Sequence, residues 1–186
     1  ALQGGQTPAA LVAAVAATAE SNTNVRAVVR LYRAYYLRNP DHGGLKHWIR
    51  QRQLGTSLSQ ISNQFAAAPE FALRYGYVDD AEFVDLVYGN VLDRGPDAGG
   101  RAYWIGLLGK GLYRGQLMTK FSESGEVVRK SSGIVTAVHI YDSLFQQSIP
   151  RGLSDSYGPS LLSGRTTPEE LAETLMGSAK YTSRFT

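Results

Sequence analysis

The stretch RNPDHGGLKHW at residues 38–48 recurs as RGPDAGGRAYW at residues 94–104, and this recurrence decides the fold. Sliding the chain against itself by 56 residues extends the match without a gap, from residues 28–71 onto residues 84–127. An ungapped match of this length indicates an internal repeat, which must be recognised before any other feature is interpreted. The sequence therefore predicts at least two copies of one structural unit.

A third, degenerate copy follows the second. A shift of 53 to 54 residues places Tyr88 on Tyr141 and Pro96 on Pro150, but the Asp-x-Gly-Gly-x-x-x-Trp core is missing. Terminal repeats are often atypical because one of their faces has no neighbour to bury. We predict an N-terminal helix and linker at residues 1–24, followed by a single helical domain at residues 25–186. This domain consists of unit one (25–78), unit two (79–131) and unit three (132–186).

Each unit is predicted to contain three helices. In the first helix, apolar residues recur at the spacing of one helical face, for example at Val28, Leu31 and Tyr35. The Pro-Asp turn then starts a second helix, in which Asp41 or Asp97 caps free backbone N–H groups, so that we interpret both aspartates as structural. The third helix begins with a capping box, as at Ser57.

The whole chain is predicted to be all-α, with about ten helices. An Ala-rich helix should start at Thr7-Pro8 and end near Glu20, and the polar residues 21–24 predict a break. Residues 133–138 resemble a short strand when taken alone, but their register with the other units favours a helix. No other segment shows the alternating pattern of a strand.

Composition excludes several classes of protein. The 186 residues are 43% hydrophobic with a net charge of +3, which is typical of a globular domain and too little charge for a disordered polyelectrolyte. The chain has no Cys, so it cannot hold a disulfide, a Cys-ligated metal or a thiol nucleophile. Its longest mostly apolar stretch, residues 8–17, is about half of the roughly 20 residues that a membrane span needs.

The repeated residues resemble the bacterial domain-of-unknown-function family 4214. The resemblance rests on Leu-Tyr in unit one and Val-Tyr in unit two, and on Arg-x-Pro-Asp, Gly-Gly, Trp and a closing Glu in both units, at about 26–71 and 82–127, with the degenerate copy at 136–185. The chain departs from the family pattern at Asn39, where Gly is usual, and at His47, where Tyr is usual. A fainter resemblance, to the helical domains of phycobilisome linkers, rests on Val-Tyr pairs and on residues 178–185.

The resemblance implies a location and no reaction. Members of the family are typically parts of secreted or surface-attached bacterial proteins, so it implies an extracytoplasmic accessory module. The chain's start at Ala1 fits a mature chain after signal cleavage as well as an excised piece. We expect a secreted or cell-surface protein.

The chemistry-bearing residues give little support to catalysis. His42 and His47 are five apart, whereas the histidines of an HExxH zinc site are four apart, and His139 stands alone. The carboxylate pairs Asp79-Asp80 and Glu169-Glu170 stand at predicted helix starts, where capping explains them. We therefore expect no catalytic residue, no metal ligand and no cofactor.

Charge and aromatic residues favour binding. Residues 26–52 hold seven Lys and Arg against one Asp, and residues 70–97 hold seven acids against two Arg. This asymmetry fits either packing between units or attraction of an anionic polymer, but nucleic acid is disfavoured because no binding motif accompanies it. Trp48 and Trp104 are expected in the core because they share the apolar stripe of their helices. Candidate binding side chains are Arg50, His47, Tyr103, Tyr75, Tyr77 and Tyr113.

Three functions remain open at this stage. We expect a non-catalytic module that binds an envelope or extracellular glycan, such as a cell-wall polymer, or that tethers an associated domain to it. The alternative is a helical scaffold or assembly linker that docks another protein. The second alternative is a hydrolase that acts on glycans.

Overall fold

The computed structural model describes residues 6–185, in which helices are the only regular secondary structure. This confirms the all-α prediction, with twelve α-helices and two π-helical segments in the described part against about ten helices expected. The π-helical segments are Ser21–Arg26 and Tyr88–Leu92. The α-helices are α1 (Pro8–Ala16), α2 (Ala27–Tyr36), α3 (His42–Gln53), α4 (Leu58–Ala66), α5 (Pro69–Tyr75), α6 (Asp80–Val87), α7 (Ala98–Gly109), α8 (Arg114–Ser122), α9 (Gly125–Phe145), α10 (Arg151–Leu162), α11 (Pro168–Met176) and α12 (Ala179–Thr182).

All three units keep the same backbone turns, including the degenerate third. The first helix of each unit ends at a non-glycine residue in the left-handed region, which is an uncommon conformation; these residues are Leu37, Asp93 and Gln146, with φ of 52°, 55° and 53°. The second helix of each unit is followed by a left-handed glycine, at Gly55, Gly111 and Gly164. Unit three therefore retains the local fold although it has lost the Trp.

The predicted caps are present. The carboxylates of Asp41 and Asp97 accept hydrogen bonds at 2.8 Å from the backbone N–H groups of Gly44 and Gly100. Ser57 begins α4 with a complete capping box. The glycine pairs leave room for a close approach, because a Cβ on Gly100 would stand 2.7 Å from the Tyr88 hydroxyl.

Each unit contains a fourth helix that the sequence analysis missed. In unit one this is the short α5, which ends at Gly76 in the left-handed region with φ of 70°. Ser132 stands at the equivalent place in unit two, where the helix continues without a break into the first helix of unit three. The result is the 21-residue helix α9, which contains both the predicted boundary at 131/132 and the strand-like residues 133–138.

The N-terminal helix ends earlier than predicted. Helix α1 stops at Ala16, and residues 21–24, expected as a break, are helical. Thr18 makes this possible because its hydroxyl accepts the backbone N–H of Ser21 at 3.1 Å and so caps the restarted helix. Helix α1 packs on α11 and α9, and Thr7 donates a hydrogen bond to Glu169. The N-terminal segment is thereby attached to unit three.

Units one and two meet through equivalent helices, α4 and α8, in a self-complementary contact. Ser59 contacts Thr119 at 3.1 Å, and the backbone N–H of Gly115 donates to Asn63 at 2.9 Å. Under the 56-residue shift, Ser59 is equivalent to Gly115, and Asn63 to Thr119. Ser59 thus contacts the equivalent of Asn63, and Asn63 contacts the equivalent of Ser59, as in a two-fold symmetric dimer interface.

Candidate functional site

The described residues include an open groove in unit two, which we call the unit-two groove. Its volume is about 470 Å³, within the range of small-molecule sites. Four elements line it: the π-helical segment after α6, helix α7, helix α8 and the start of α9. The lining residues are Tyr88, Leu92, Arg94, Trp104, Lys120, Phe121, Ser124 and Glu126.

The floor of the groove is aromatic. The rings of Tyr88 and Trp104 approach that of Phe121 edge-on, with centroids 4.9 and 5.2 Å away. Tyr88 and Phe121 are buried, but Trp104 is only half-buried and lines the groove. Trp48 and Trp104, which were expected in the core, each pack on one side against a Phe of the core and remain half-buried.

The rim of the groove carries charged side chains. Glu126 accepts a hydrogen bond from Lys130 at 2.6 Å, and the pKa of Glu126 is lowered first by this lysine and then by charges that include Arg94. Arg94 itself forms no hydrogen bond or ion pair with another described residue. Lys120 is exposed beside the same opening. The rim thus offers two cations and one carboxylate around an apolar floor.

Unit one fills the equivalent position with its own side chains. Tyr36, equivalent to Leu92, stacks on Phe65 with centroids 5.2 Å apart and an interplanar angle of 22°. Its hydroxyl donates to the backbone oxygen of Phe65 at 3.1 Å. Because leucine has neither the ring nor the hydroxyl, unit two does not fill this space.

An ion pair also closes unit one. Arg38 donates two hydrogen bonds to Glu70, at 2.7 and 2.8 Å, and its guanidinium lies 5.0 Å from the ring centroid of Tyr32. The arginine holds the pKa of Glu70 below its usual range. In unit two the equivalent Glu126 pairs with Lys130 instead, so that the equivalent Arg94 is left without an ion-pair partner among residues 6–185.

The backbone at the groove is also unlike its counterpart. Residues Tyr88–Leu92 form a π-helical segment, whereas the equivalent residues of unit one end a regular α-helix. Single π-helical turns are rare and occur frequently at functional sites. Here the π-helical turn carries two lining side chains, Tyr88 and Leu92.

The candidate binding residues from the sequence do not form one site. Tyr103 is 60% exposed and contacts Trp104, with ring centroids 5.1 Å apart, so it stands beside the unit-two groove. His47 makes the equivalent contact with Trp48 in unit one. The remaining exposed candidates are separate from the groove lining: Arg50, Tyr77 and Tyr113.

Tyr75, one of the candidate binding side chains, is not an exposed ring. It is half-buried, and its hydroxyl donates to the backbone oxygen of Tyr35 at 2.9 Å. The same hydroxyl accepts a hydrogen bond from Asn90 at 2.8 Å. Tyr75 therefore joins unit one to the π-helical segment of unit two and has a structural role.

The histidines make one contact that resembles a catalytic pair. Ser21 and His139 are 2.9 Å apart between the hydroxyl and Nδ1, in a buried position. The Ser21 hydroxyl, however, donates to the backbone oxygen of Ala16, so its proton is not directed at the imidazole. Burial, followed by the charge of Arg26, lowers the pKa of His139 to about 4. The pair is thus a neutral structural contact.

No described residues are arranged for a metal ion. Within residues 6–185, no group of three or more His, Asp or Glu side chains comes close enough together to hold one. His42 lies 2.8 Å from Asp142 of α9, a contact between units one and three. His47 lies against Trp48 instead.

The groove residues were mostly missed by sequence reasoning. Of the lining side chains, only Trp104 was singled out, and it was assigned to the core. The signal was nevertheless present in the aligned copies, since Tyr36 in unit one becomes Leu92 in unit two. A large side chain replaced by a smaller one at an equivalent repeat position indicates a possible cavity.

Comparison with known proteins confirms the family resemblance for part of the chain. The model of the family described as domain of unknown function (DUF4214) matches residues 62–131. This segment runs from α4 into α9 and contains every residue that lines the unit-two groove. Searches of curated proteins and of solved structures gave no match to the chain.

Proposed function

We propose that the chain is a non-catalytic module that binds a glycan in the unit-two groove. The observation that carries the proposal is the difference between the copies: unit one closes this position with Tyr36 and the Arg38–Glu70 pair, and unit two leaves it open. Because unit one fills this position and unit two does not, the fold does not require it to be filled. The open position in unit two, with its aromatic floor, is therefore available for a ligand.

The chemistry of the groove suits a sugar. The faces of a sugar ring present C–H groups, which gain by burial against the rings of Trp104 and Tyr103. The hydroxyl groups at the edge of the sugar can accept hydrogen bonds from Arg94 and Lys120, and hydrogen bonds to charged groups are the stronger kind. The carboxylate of Glu126 supplies an acceptor on the same rim.

The groove supports binding better than hydrolysis. A typical glycosidase places two carboxyl groups on either side of the bond that it cleaves. Among the eight lining residues only Glu126 carries a carboxylate, and Lys130 binds it. The hydrolase alternative therefore has no support from this site.

We place this function outside the cytoplasm, at the bacterial envelope or beyond it. Support comes from the match to the domain of unknown function (DUF4214) and from the secreted or surface-attached proteins that this resemblance implies. Among the described residues, no helix combines the length and apolar character required to cross a membrane.

A protein-docking role is the alternative, and one observation favours it. Leu73 on α5 and Tyr77 just after it are 88% and 103% exposed, an unusual exposure for neighbouring apolar side chains. The pair lies outside the groove lining. A scaffold would therefore use a surface that glycan binding does not require.

The proposal is tested with a glycan array that includes bacterial surface oligosaccharides, followed by calorimetric titration of any ligand found. Trp104→Ala removes the indole from the floor, and we expect the affinity to fall at least tenfold. Trp48→Ala is the matched control because it removes the equivalent indole of unit one. Equal loss in both variants, or no loss in Trp104→Ala, would contradict the proposal.

A second variant closes the groove without removing any lining aromatic. Leu92→Tyr gives unit two the ring with which Tyr36 fills unit one, stacked on Phe121 in place of Phe65. We expect the variant to fold, with thermal stability close to that of the wild type, and to lose glycan binding. Full binding by Leu92→Tyr would show that the ligand sits elsewhere, for example at Leu73 and Tyr77.

A further inference from the structure

Two adjoining cavities lie where unit one meets the two later units, away from the unit-two groove. The first, of about 260 Å³, extends from α2 to the π-helical segment and α9, and the second, of about 180 Å³, extends from the end of α2 to α10. Both are lined by Arg33 and Leu37, from the end of α2 and the turn that follows it. Arg33 therefore stands at the junction of the two cavities.

Arg33 has no acidic partner. Among the described residues, its side chain makes one hydrogen bond, from Nη1 to the side-chain oxygen of Asn39 at 3.0 Å, and no carboxylate lies within ion-pair distance. The other arginines that line these cavities differ, since Arg30 pairs with Glu123 and Arg38 pairs with Glu70.

Two charged groups of α10 act on Arg33 without making an ion-pair contact with it. Asp155 lines the second cavity, but its carboxylate is shared with Arg151 of the same helix, at 3.5 Å. Lys130 adds a further positive charge at the first cavity, although it pairs with Glu126. Burial lowers the pKa of Arg33, Asp155 raises it and Arg151 lowers it. A partly buried guanidinium without a counter-ion is costly, and an anion would relieve that cost.

Repeat architecture does not account for Arg33. The equivalent residues of units two and three are Gly89 and Asp142, so the fold of a unit does not require a cation here. The negative end of the dipole of α2 gives some stabilisation to an arginine in the last turn, but that effect is small and needs no cavity. Arg33 is a feature of unit one alone.

We propose that Arg33 binds a small oxyanion in these cavities, either free or as the charged end of a larger molecule. Carboxylate, phosphate and sulfate share the chemistry that a guanidinium recognises, since its planar fork can donate two parallel hydrogen bonds to two oxygens. One of the five N–H groups of Arg33 is used by Asn39, which leaves the others for the anion. Arg151, 89% exposed at the mouth of the second cavity, adds positive charge on the path of entry.

The proposal is independent of the glycan site and is tested by thermal unfolding in phosphate, sulfate or acetate at constant ionic strength. We expect at least one of these anions to raise the melting temperature of the wild type above its value in chloride. Sulfate and phosphate also stabilise proteins by being excluded from their surface, so we expect Arg33→Gln to remove the part of the rise that comes from binding. Lys46→Gln is the control, because it removes one positive charge from an exposed position on α3 and should keep the rise.

Titration of the wild type by NMR gives a measurement that needs no variant. The side-chain Nε–H resonance of Arg33 should shift with added anion and saturate. Glycerol 3-phosphate and glucuronate, tested beside the free anions, distinguish the two sources, because tighter binding of either one indicates an anionic group on a larger molecule. An unchanged Arg33 resonance with all five probes, or a rise in melting temperature that is undiminished in Arg33→Gln, would overturn the proposal.

Discussion

At the scale of single residues, the caps are the clearest link between sequence and stability. Asp41 begins α3, and its carboxylate accepts the backbone N–H of Gly44 at 2.8 Å. We predict that Asp41→Ala lowers the free energy of unfolding by about 1 kcal/mol, within the usual range for the loss of a cap. Asp41→Asn should retain nearly all the stability, because asparagine caps equally well. Urea denaturation measures both, and equal loss in the two variants would show that charge matters rather than capping.

His139 gives the protein a predictable dependence on pH. Its pKa is lowered to about 4 in the folded state, mainly by burial, against about 6.5 in an unfolded chain. Between these values the unfolded state binds the proton and the folded state does not, so stability falls as the pH falls from 6.5 towards 4. The loss from this residue is about 3 kcal/mol over that range.

His139→Asn is the variant that tests this dependence. The amide can still donate to the Ser21 hydroxyl from the place of Nδ1, but it does not titrate. Urea denaturation at several pH values should show that the variant lacks most of the loss between pH 6.5 and 4. A variant curve parallel to that of the wild type would exclude His139 as the cause.

Sequence patterns identified residues whose role is local and missed residues whose role depends on distant partners. The cap at Asp97 was predictable because its partner, Gly100, is three residues away. The lack of a described ion-pair partner for Arg94 was not predictable, because it depends on Glu126 forming its ion pair with Lys130. Tyr75 was misassigned for the same reason, since its partners Tyr35 and Asn90 lie 40 and 15 residues away.

At the scale of helices, the contact between α4 and α8 depends on a glycine. A Cβ on Gly115 would stand 2.5 Å from the backbone nitrogen of Asn63 and 2.7 Å from the backbone oxygen of Ser59, and neither can move without moving α4. We predict that Gly115→Ala lowers the free energy of unfolding by about 1–3 kcal/mol, as overpacking does.

Gly106→Ala is the matched control for this prediction. Gly106 lies inside α7 and is exposed. A Cβ added to Gly106 would have no atom of a described neighbour within 4 Å. The substitution should raise stability by about 0.5–1 kcal/mol, because alanine loses less backbone entropy than glycine in a helix. If Gly115→Ala stabilised the protein as much as Gly106→Ala does, the close crossing of α4 and α8 would be wrong.

Helix type and approximate position followed from the sequence, whereas the joins between helices did not. The 3.6-residue period predicted the first three helices of each unit, with the Pro-Asp turns as a further signal in units one and two. The fused helix α9 reflects differences at the join between units: Ser132 replaces the left-handed Gly76, and Val135 replaces Asp79, the residue that caps α6. The π-helical segments leave no recognised pattern in the sequence, so the change of backbone at Tyr88–Leu92 could be found only in the structure.

At the scale of the whole molecule, the three units share one backbone plan and differ in what they leave open. Units one and two meet through α4 and α8, and α1 attaches the N-terminal segment to unit three through α11. Within this frame, unit one closes the position around Phe65, and unit two leaves the same position around Phe121 open. Repetition thus provides an internal control: each feature of the unit-two groove has a counterpart in unit one that can be changed in the same way.

The central claim is that unit two, and not unit one, binds the ligand, and the two tryptophans of the chain report on it directly. In an NMR titration with a glycan from the array, the indole N–H resonances of Trp48 and Trp104 are followed together, after assignment with Trp48→Phe. We predict that the Trp104 resonance shifts and saturates while that of Trp48 stays in place. Movement of Trp48 alone, equal movement of both, or no movement of Trp104 at saturating glycan would contradict the claim.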